Sequence, residues 1–222
     1  MAGDTVRDGL SVVRRLALAY APPRAERATL GLLALDARLG DVLRTSREPM
    51  LAQIRLAWWR ERLSEDPGAW PTGEPLLDVL RAWAGQLGAL AGLVDGWECL
   101  IGDAPLPLAS FCELAEERAS AFAALAHMME GGDSLGEANA RRMARDWALA
   151  DLALHVGHPE ERRALRELAA GRDWKSVPLT RNLRPLAVLH GLARRAMARE
   201  EERAEPRASD ILAAFRIGLL GR

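Results

Sequence analysis

The chain has 222 residues, of which 49% are apolar, and a formal net charge of −1, enough for one domain with a well-filled core. A net charge near zero, without a basic block, gives no reason to expect a nucleic-acid partner. Ala, Leu, Arg and Glu dominate while Val and Ile are sparse, which favours helices over strands. We therefore expect an all-α protein with a single domain over residues 1–222.

The N-terminal region and the cysteines predict where the protein works. Residues 1–10 are interrupted by charged side chains, so we expect no signal peptide, and no uncharged stretch of 18 residues could span a membrane. Cys99 and Cys112 lack the spacing of metal ligands and are too few for a disulfide framework. They are predicted to be small buried hydrophobic residues in a reducing compartment. We expect a cytoplasmic protein.

Apolar residues recur every three or four positions along most of the chain and predict about nine helices. Pro23 and Pro49 stand where helices should begin, because the missing N–H of proline has no intrahelical partner at the first position. No alternating strand pattern and no internal repeat is visible. The predicted helices cover residues 5–20, 23–44, 49–64, 76–94, 108–130, 135–156, 160–170, 184–200 and 207–220.

The third predicted helix has an unusual load of tryptophan and arginine. Leu51, Ile54 and Trp58 recur at helical spacing and define one apolar face. Arg55 and Trp59 fall beside that face, four residues apart, where a guanidinium can lie over an indole. Two interpretations are open: a core helix whose arginines extend to water, or a helix whose arginines face a cavity and meet an anion.

Paired carboxylates are the natural candidates for a magnesium site, because residues at i and i+4 share one face of a helix. Asp36 and Asp41 are five residues apart, which points them in directions roughly 140° apart, so a solvated helix face is predicted there. Glu113 and Glu117 have the right spacing and are the best candidate for cation binding. An exposed acidic face is a common alternative.

The helix over 135–156 carries further charged groups. Asp151, His155 and His158 stand at i, i+4 and i+7 and offer ligands for a transition metal. Helix breakers flank His158, and a histidine at a helix C-terminus is also favoured by the helix dipole, so this metal site is only an alternative. Arg142 and Asp146 have the spacing of an ion pair on the surface.

The stretch EPMLAQIRLAWWRERL over 48–63 resembles a motif near the N-terminal end of squalene/phytoene synthase-family proteins. It is most similar to short bacterial homologues and to the mitochondrial complex I assembly factor of the same family. The resemblance implies an all-α isoprenoid-synthase bundle around a central cavity. It continues in LALAYAPPRAERATLGLLALDARL, GLVDGWECLIGDAPLPLASFCELAEERASAFAALA and SVPLTRNLRPLAVLHGLARRA.

The chain departs from that family at its metal-binding motifs. Where active enzymes have Asp-Asp-x-x-Asp, residues 40–44 read Gly-Asp-Val-Leu-Arg, and only Asp41 is kept. In the stretch matched to the second motif, Asp151 is present, but His155 and Pro159 stand where aspartates are expected. Loss of these oxygen ligands lowers the affinity for Mg²⁺. The usual head-to-head condensation of two prenyl diphosphates is therefore not expected.

Three functions are compatible with these observations. The first is a non-catalytic scaffold or assembly factor that binds an isoprenoid or a partner protein and needs no cofactor. The second is a prenyl-diphosphate transferase with a rearranged Mg²⁺ site. The third is a helical oligomerisation module with a closed core. The first hypothesis places Arg55, Trp59 and Arg184 around a cavity, and the second uses Asp41, Glu113 and Glu117.

The C-terminal stretch DILAAFRIGLLGR over 210–222 is amphipathic. It could contact a membrane surface peripherally, but packing against the bundle is the expected role.

Overall fold

A computed structural model describes residues 2–46, 48–199, 213–214 and 217–218. Over these residues the chain is helical and contains no strand, so the all-α prediction is confirmed. The helices are α1 (Ala2–Asp8), α2 (Val12–Leu18), α3 (Pro23–Thr45), α4 (Pro49–Ser64), α5 (Pro75–Leu80), α6 (Leu87–Glu98), α7 (Leu108–Glu130), α8 (Ser134–His155), α9 (Pro159–Ala170) and α10 (Arg184–Ala198).

Local signals in the sequence account for several helix ends. Pro23 and Pro49 occupy the first positions of α3 and α4, as predicted. Gly131 ends α7 with a left-handed φ of 71°. The Asp133 carboxylate accepts hydrogen bonds from the Leu135 and Gly136 amides at 3.2 Å and caps α8. These ends depend on residues close in sequence, and they are the boundaries that the pattern predicts best.

Two helices predicted as continuous are interrupted. The predicted helix 5–20 is divided into α1 and α2, because Ser11 caps a new helix by accepting from the Arg14 amide. The predicted helix 76–94 is divided into α5, a 3₁₀ turn at Arg81–Trp83, and α6. Gly85, with φ of +91°, follows that turn. The apolar spacing continues across the break, so periodicity alone did not reveal it.

The core is organised around α7 and α8, which pack along much of their length, with α6, α9 and α10 against them. Alanines at the centre of the pair are 0–1% exposed, and their small side chains let the two helices approach closely. Phe122 and Trp147 pack edge to face, with ring centroids 5.6 Å apart. In contrast, α4 lies at the periphery and packs mainly on α6.

The cysteines are less buried than predicted. Cys99, next to the end of α6, is exposed, and Cys112 is half-buried. Partial burial, together with the nearby carboxylates of Glu113 and Glu98, raises the pKa of the Cys99 thiol. The prediction that both are buried is therefore wrong.

Two predictions concern membranes. None of the described helices combines the length and the apolar character needed to cross a bilayer. The predicted helix over 207–220, and with it the proposed membrane contact of that stretch, lies largely outside the described residues. Within it, residues 213–214 and 217–218 are helical, and Ala214 is fully buried.

Candidate functional site

A cavity of about 780 Å³ lies between the α1–α2 connection, α3, the α6–α8 region and α10. This size is in the range of small-molecule sites, and it argues against the hypothesis of a module with a closed core. Most of the lining side chains are apolar: Leu10, Val12, Val13, Ala37, Trp97, Trp147, Leu152, Leu154, Leu189, Leu192, Ala193 and Ala196.

Four charged side chains, Arg14, Asp36, Arg118 and Asp151, form an inner charge cluster on the wall of this cavity. Asp36 is only 2% exposed. Its Oδ1 accepts hydrogen bonds from Arg118 Nε at 2.9 Å and Trp97 Nε1 at 2.8 Å, and its Oδ2 accepts from Arg14 Nη2. A buried carboxylate is tolerated because all of these donors compensate for lost hydration.

Arg118 joins the two carboxylates. Its Nη1 donates to Asp151 Oδ2 at 3.0 Å while its Nε donates to Asp36. The guanidinium carbon lies 5.1 Å from the ring centroid of Trp97 and 5.4 Å from that of Trp147. The cation is therefore held by two carboxylates and by two indole faces.

Arg14 completes the cluster from α2. Besides Asp36, it donates from Nη1 to the Leu33 carbonyl oxygen at 3.1 Å, and its Nη2 lies 3.9 Å from Asp151 Oδ2. The cluster thus contains two anions and two cations in mutual contact. A guanidinium has no lone pair and keeps its charge in proteins, so the cluster is electrically balanced.

Burial and pairing act in opposite directions on the ionisation of the cluster. Burial opposes the charged form of Asp36, yet Arg118, Arg14 and the Trp97 hydrogen bond together hold the pKa of Asp36 below its ordinary value. Burial likewise opposes the charge on Arg118, and Asp36 and Asp151 raise the pKa of Arg118 in spite of it. Both partners therefore stay ionised near neutral pH.

This arrangement corrects the prediction that Asp36 lies on a solvated helix face. The sequence did carry a signal, because Asp36 is three residues from both Leu33 and Leu39, which are buried. Arg118 lies likewise four residues from the buried Leu114 and Phe122. A charged residue in the middle of an apolar stripe requires a buried partner, but its spacing does not identify that partner.

The three predicted ligand-binding residues lie elsewhere. Arg55 is exposed on α4, and its Nη1 lies 3.5 Å from the Thr45 hydroxyl oxygen. Trp59 is 4% exposed in the core, and Arg184 is half-buried at the start of α10. None of the three is among the residues that line the cavity. The structure therefore does not bring these three residues together at this cavity, and a ligand-binding role for them stays a prediction.

The inward face of α4 is also opposite to the one predicted. This helix carries apolar residues on two faces, and packing against α6 and α3 covers only one of them. The covered face contains Ala52, Leu56, Trp59 and Leu63. The predicted core face is open instead, with exposed fractions of 44% for Leu51, 59% for Ile54 and 38% for Trp58, and the neighbouring Met50 is 67% exposed.

The residues proposed for a rearranged magnesium site do not form one cluster. Asp41 lines the cavity and pairs with Arg44. Glu117 packs against Gly92 and Gly96 of α6, while Glu113 is exposed. Partial burial and the nearby Glu113 carboxylate raise the pKa of Glu117. In the described part of the chain, no group of three or more Asp, Glu, His or Cys side chains is placed to hold a metal ion.

The alternative metal site on α8 is not assembled either. Asp151 Oδ2 accepts from Arg118, as described above. His155 Nδ1 lies 2.7 Å from the Asp151 carbonyl oxygen and 3.4 Å from Asp151 Oδ1. His158 lies beyond the helix end, where it precedes α9. Asp151 and His155 therefore interact with each other, but the set of three does not surround one point.

A second group of buried polar residues, the Asp146 cluster, contains Asp146, Arg172 and His190. Asp146 and His190 are each 1% exposed, so the prediction that Asp146 belongs to a surface pair is wrong. Arg172 Nε donates to Asp146 Oδ1 at 2.6 Å, whereas His190 Nε2 lies 3.9 Å from Asp146 Oδ2. Neither ring nitrogen of His190 has a hydrogen-bond partner in the described structure. Burial, with Arg194 and Arg142 nearby, lowers the pKa of His190 to about 4.

No family model matches the chain, and no curated protein and no solved structure matches it. The resemblance to the squalene/phytoene synthase family therefore depends on the quoted motifs, and the isoprenoid-synthase type of bundle stays a prediction. The finding on the fold itself is an all-α domain with a cavity of ligand size.

Proposed function

We propose that this protein is a non-catalytic member of the isoprenoid-synthase type, which binds an isoprenoid in its cavity without a metal ion. One observation carries the proposal: the Asp36 and Asp151 oxygens that could ligate a cation accept hydrogen bonds from Arg118 and Arg14 instead. The apolar lining supports a ligand that is mostly hydrocarbon. The resemblance of the sequence supplies the isoprenoid class.

Prenyl transfer by the family's usual route would require carboxylates that bind Mg²⁺. Of the positions matched to its two motifs only Asp41 and Asp151 are present, and they pair with Arg44 and Arg118. The metal ions would hold the substrate diphosphate and stabilise the leaving group. In this chain, a metal ion at Asp36 would first have to displace Arg118, which is 3% exposed. A buried guanidinium without its carboxylates would be strongly unfavourable. The cluster therefore competes directly with metal binding.

Isothermal titration calorimetry with farnesyl diphosphate and farnesol, with and without Mg²⁺, tests the proposal together with a turnover assay. We expect binding of an isoprenoid that is equal in the presence and absence of Mg²⁺, and no product. Binding that requires Mg²⁺, or a prenyl-transfer product, would establish the transferase alternative instead. Ala37→Trp should block the cavity, whereas Ala57→Trp on the exposed side of α4 is the matched control.

A second candidate function, docking of a partner protein, is favoured by the open face of α4. At their observed exposures, Met50, Leu51, Ile54 and Trp58 present on the order of 400 Å² of apolar surface. A specific protein interface buries about 800 Å² on each partner, so this face would supply about half of one, and the charges beside it would decide which partner fits. The exposed Glu61 lies on the same side and opposes contact with an anionic membrane.

The charge beside this face indicates the chemistry of the partner. Arg55 borders the apolar residues and contacts the Thr45 hydroxyl, but no carboxylate neutralises it within the described structure. We propose an amphipathic helix of another protein, with an acidic residue beside its apolar side. The apolar residues of the two helices would interdigitate, and the acidic residue would pair with Arg55.

A photo-crosslinking amino acid at position 54, in cells that naturally express the protein, tests this docking face. The control carries the same group at position 135, because Leu135 is an apolar residue of α8 that is 68% exposed. We expect a crosslink from position 54 alone, to an amphipathic helix of one protein, that is lost with Arg55→Glu. Crosslinks to a second copy or to lipid, or equal crosslinks from both positions, would contradict it.

A further inference from the structure

The charges on the cavity wall are largely neutralised by one another. Asp36 and Asp151 pair with Arg118 and Arg14, and Asp41 pairs with Arg44. Arg199, which also lines the cavity, is engaged as well. The arginines are therefore already committed to partners within the protein.

The charged residues of this wall should bind a diphosphate only weakly. Phosphate oxygens are normally held by several charge-assisted hydrogen bonds from cations. In this cavity, the charge of each cation of the inner cluster is already balanced by a carboxylate, so phosphate would add negative charge that no further cation of the cluster compensates. The anions Asp36 and Asp151 would then face the added negative charge at close range. The cavity therefore favours a ligand whose polar end carries no charge.

His155 supplies a hydrogen-bonding group that suits such a ligand. It lines the cavity, and its side chain is 60% exposed. Its Nδ1 lies 2.7 Å from the Asp151 carbonyl oxygen, and a carbonyl oxygen can only accept, so the hydrogen is on Nδ1. In the neutral imidazole, Nε2 is then an acceptor. Such a nitrogen selects a ligand that donates a hydrogen bond.

We infer that the ligand of this cavity is an isoprenoid alcohol, whose hydroxyl donates to His155 Nε2, and not a prenyl diphosphate. This inference rests on the proposed function, because it names the class of ligand for the same cavity. The alcohol meets both features of the wall: the hydrocarbon chain lies against Leu, Val, Ala and Trp side chains, and the uncharged head leaves the inner charge cluster intact.

Calorimetry without Mg²⁺ on three ligands with the same chain separates the possibilities: farnesol, its methyl ether and farnesyl diphosphate. We expect farnesol to bind at least about tenfold more tightly than the diphosphate, since the diphosphate brings negative charge close to Asp36 and Asp151. The ether keeps the oxygen but cannot donate, so it should bind about 3- to 10-fold more weakly than farnesol, the range of one hydrogen bond.

Two histidine variants assign the hydrogen bond. His155→Ala should bind farnesol and the ether equally, and circular dichroism should show an unchanged helix content because the side chain is largely exposed. His127→Ala, an exposed histidine on α7 outside the cavity, should keep the full preference for the alcohol. If His155→Ala keeps that preference, the role of His155 is wrong.

The outcomes also distinguish this inference from the proposed function. Tighter binding of the diphosphate than of farnesol, still without Mg²⁺, would overturn the inference and leave the proposed function standing. Absence of binding for all three ligands, with or without Mg²⁺, would overturn the proposed function as well. Diphosphate binding that appears only with Mg²⁺ would contradict both.

Discussion

The inner charge cluster and the Asp146 cluster each contain a buried carboxylate, Asp36 in one and Asp146 in the other, yet the charge of that carboxylate is compensated differently in each. In the inner cluster, two carboxylates meet two guanidinium groups, and an indole N–H donates as well. In the Asp146 cluster, Arg172 pairs with the carboxylate, but the adjacent His190 has no hydrogen-bond partner. One cluster balances buried charge with opposite charge, and the other contains a base that burial holds neutral.

The two clusters also differ in the solvent exposure of the arginine that pairs with the buried carboxylate. Arg118 is 3% exposed and cannot exchange its carboxylates for water, whereas the side chain of Arg172 is 32% exposed and can be hydrated in part. The two clusters should therefore respond differently to loss of the arginine and to acid. Four predictions test this comparison, beginning with the largest expected effect.

Arg118→Met should destabilise the protein by about 3–5 kcal/mol, because it removes the cation that joins the buried Asp36 to the half-buried Asp151. Arg172→Met is the matched control and should cost less, about 1.5–3 kcal/mol, since it removes one charge-assisted hydrogen bond, to Asp146, where Arg118→Met removes two. Urea unfolding monitored by circular dichroism gives both values. Equal losses would show that the exposure of the arginine does not separate the two clusters.

Stability should fall in acid because of His190. In the unfolded chain its pKa is about 6.5, whereas burial in the folded protein lowers it to about 4. Between these values the unfolded chain binds a proton that the folded protein excludes, so stability decreases as the pH falls from 6.5 towards 4, by up to about 3 kcal/mol.

Free energies of unfolding measured across this pH range check the effect of His190. His190→Phe should lose most of the slope, because it has no imidazole to protonate. His127→Asn, at an exposed histidine, should keep the slope. A slope that persists unchanged in His190→Phe would assign the acid sensitivity to other groups.

Trp97→Phe should weaken the inner cluster more modestly, because it removes one donor from Asp36 and leaves both arginines in place. A double-mutant cycle with Asp36→Asn separates this hydrogen bond from the loss of ring volume. We expect a coupling free energy of about 2 kcal/mol, typical of a bond to a charged group. Coupling near zero would mean that the arginines alone compensate Asp36.

The smallest effect is expected at the margin of the inner cluster. His155→Ala removes a largely exposed ring whose protein contact is to the Asp151 backbone and carboxylate. Its free energy of unfolding should change by about 0.5 kcal/mol or less. Urea unfolding under the same conditions as for Arg118→Met measures this change. A larger loss of stability would show that the His155 imidazole belongs to the inner charge cluster.

Much of the fold could be predicted from local sequence features. Prolines at the first positions of α3 and α4, and the glycine that ends α7, act through neighbouring backbone groups, so they predict helix ends without knowledge of the fold. The breaks at Ser11 and Gly85 were missed, because the apolar periodicity continues through them. Whether a segment is helical depends mainly on its local sequence, whereas whether a long helix continues without a break also depends on packing.

Only part of the candidate site could be predicted from the sequence. Asp151, His155 and Asp41 were singled out, and all three line the cavity. Asp36 was assigned to water, and Arg118 was not recognised. Arg118 and Asp36 are 82 residues apart in the chain, and helical spacing relates only residues within one helix. The periodicity of α3 or of α7 shows which of its own residues are buried, but it does not show which residue of the other helix they contact.

By itself, the sequence determined that this chain is helical and that its acidic residues do not follow the aspartate-rich pattern of the family it resembles. Tertiary structure alone decided which apolar face of α4 is buried, because Leu56 and Trp59 compete there with Ile54 and Trp58 at similar hydrophobicity. It also decided that two arginines meet two carboxylates on one wall of a cavity. Charge pairs of that kind form where separate helices converge, and this convergence depends on the packing of the whole domain.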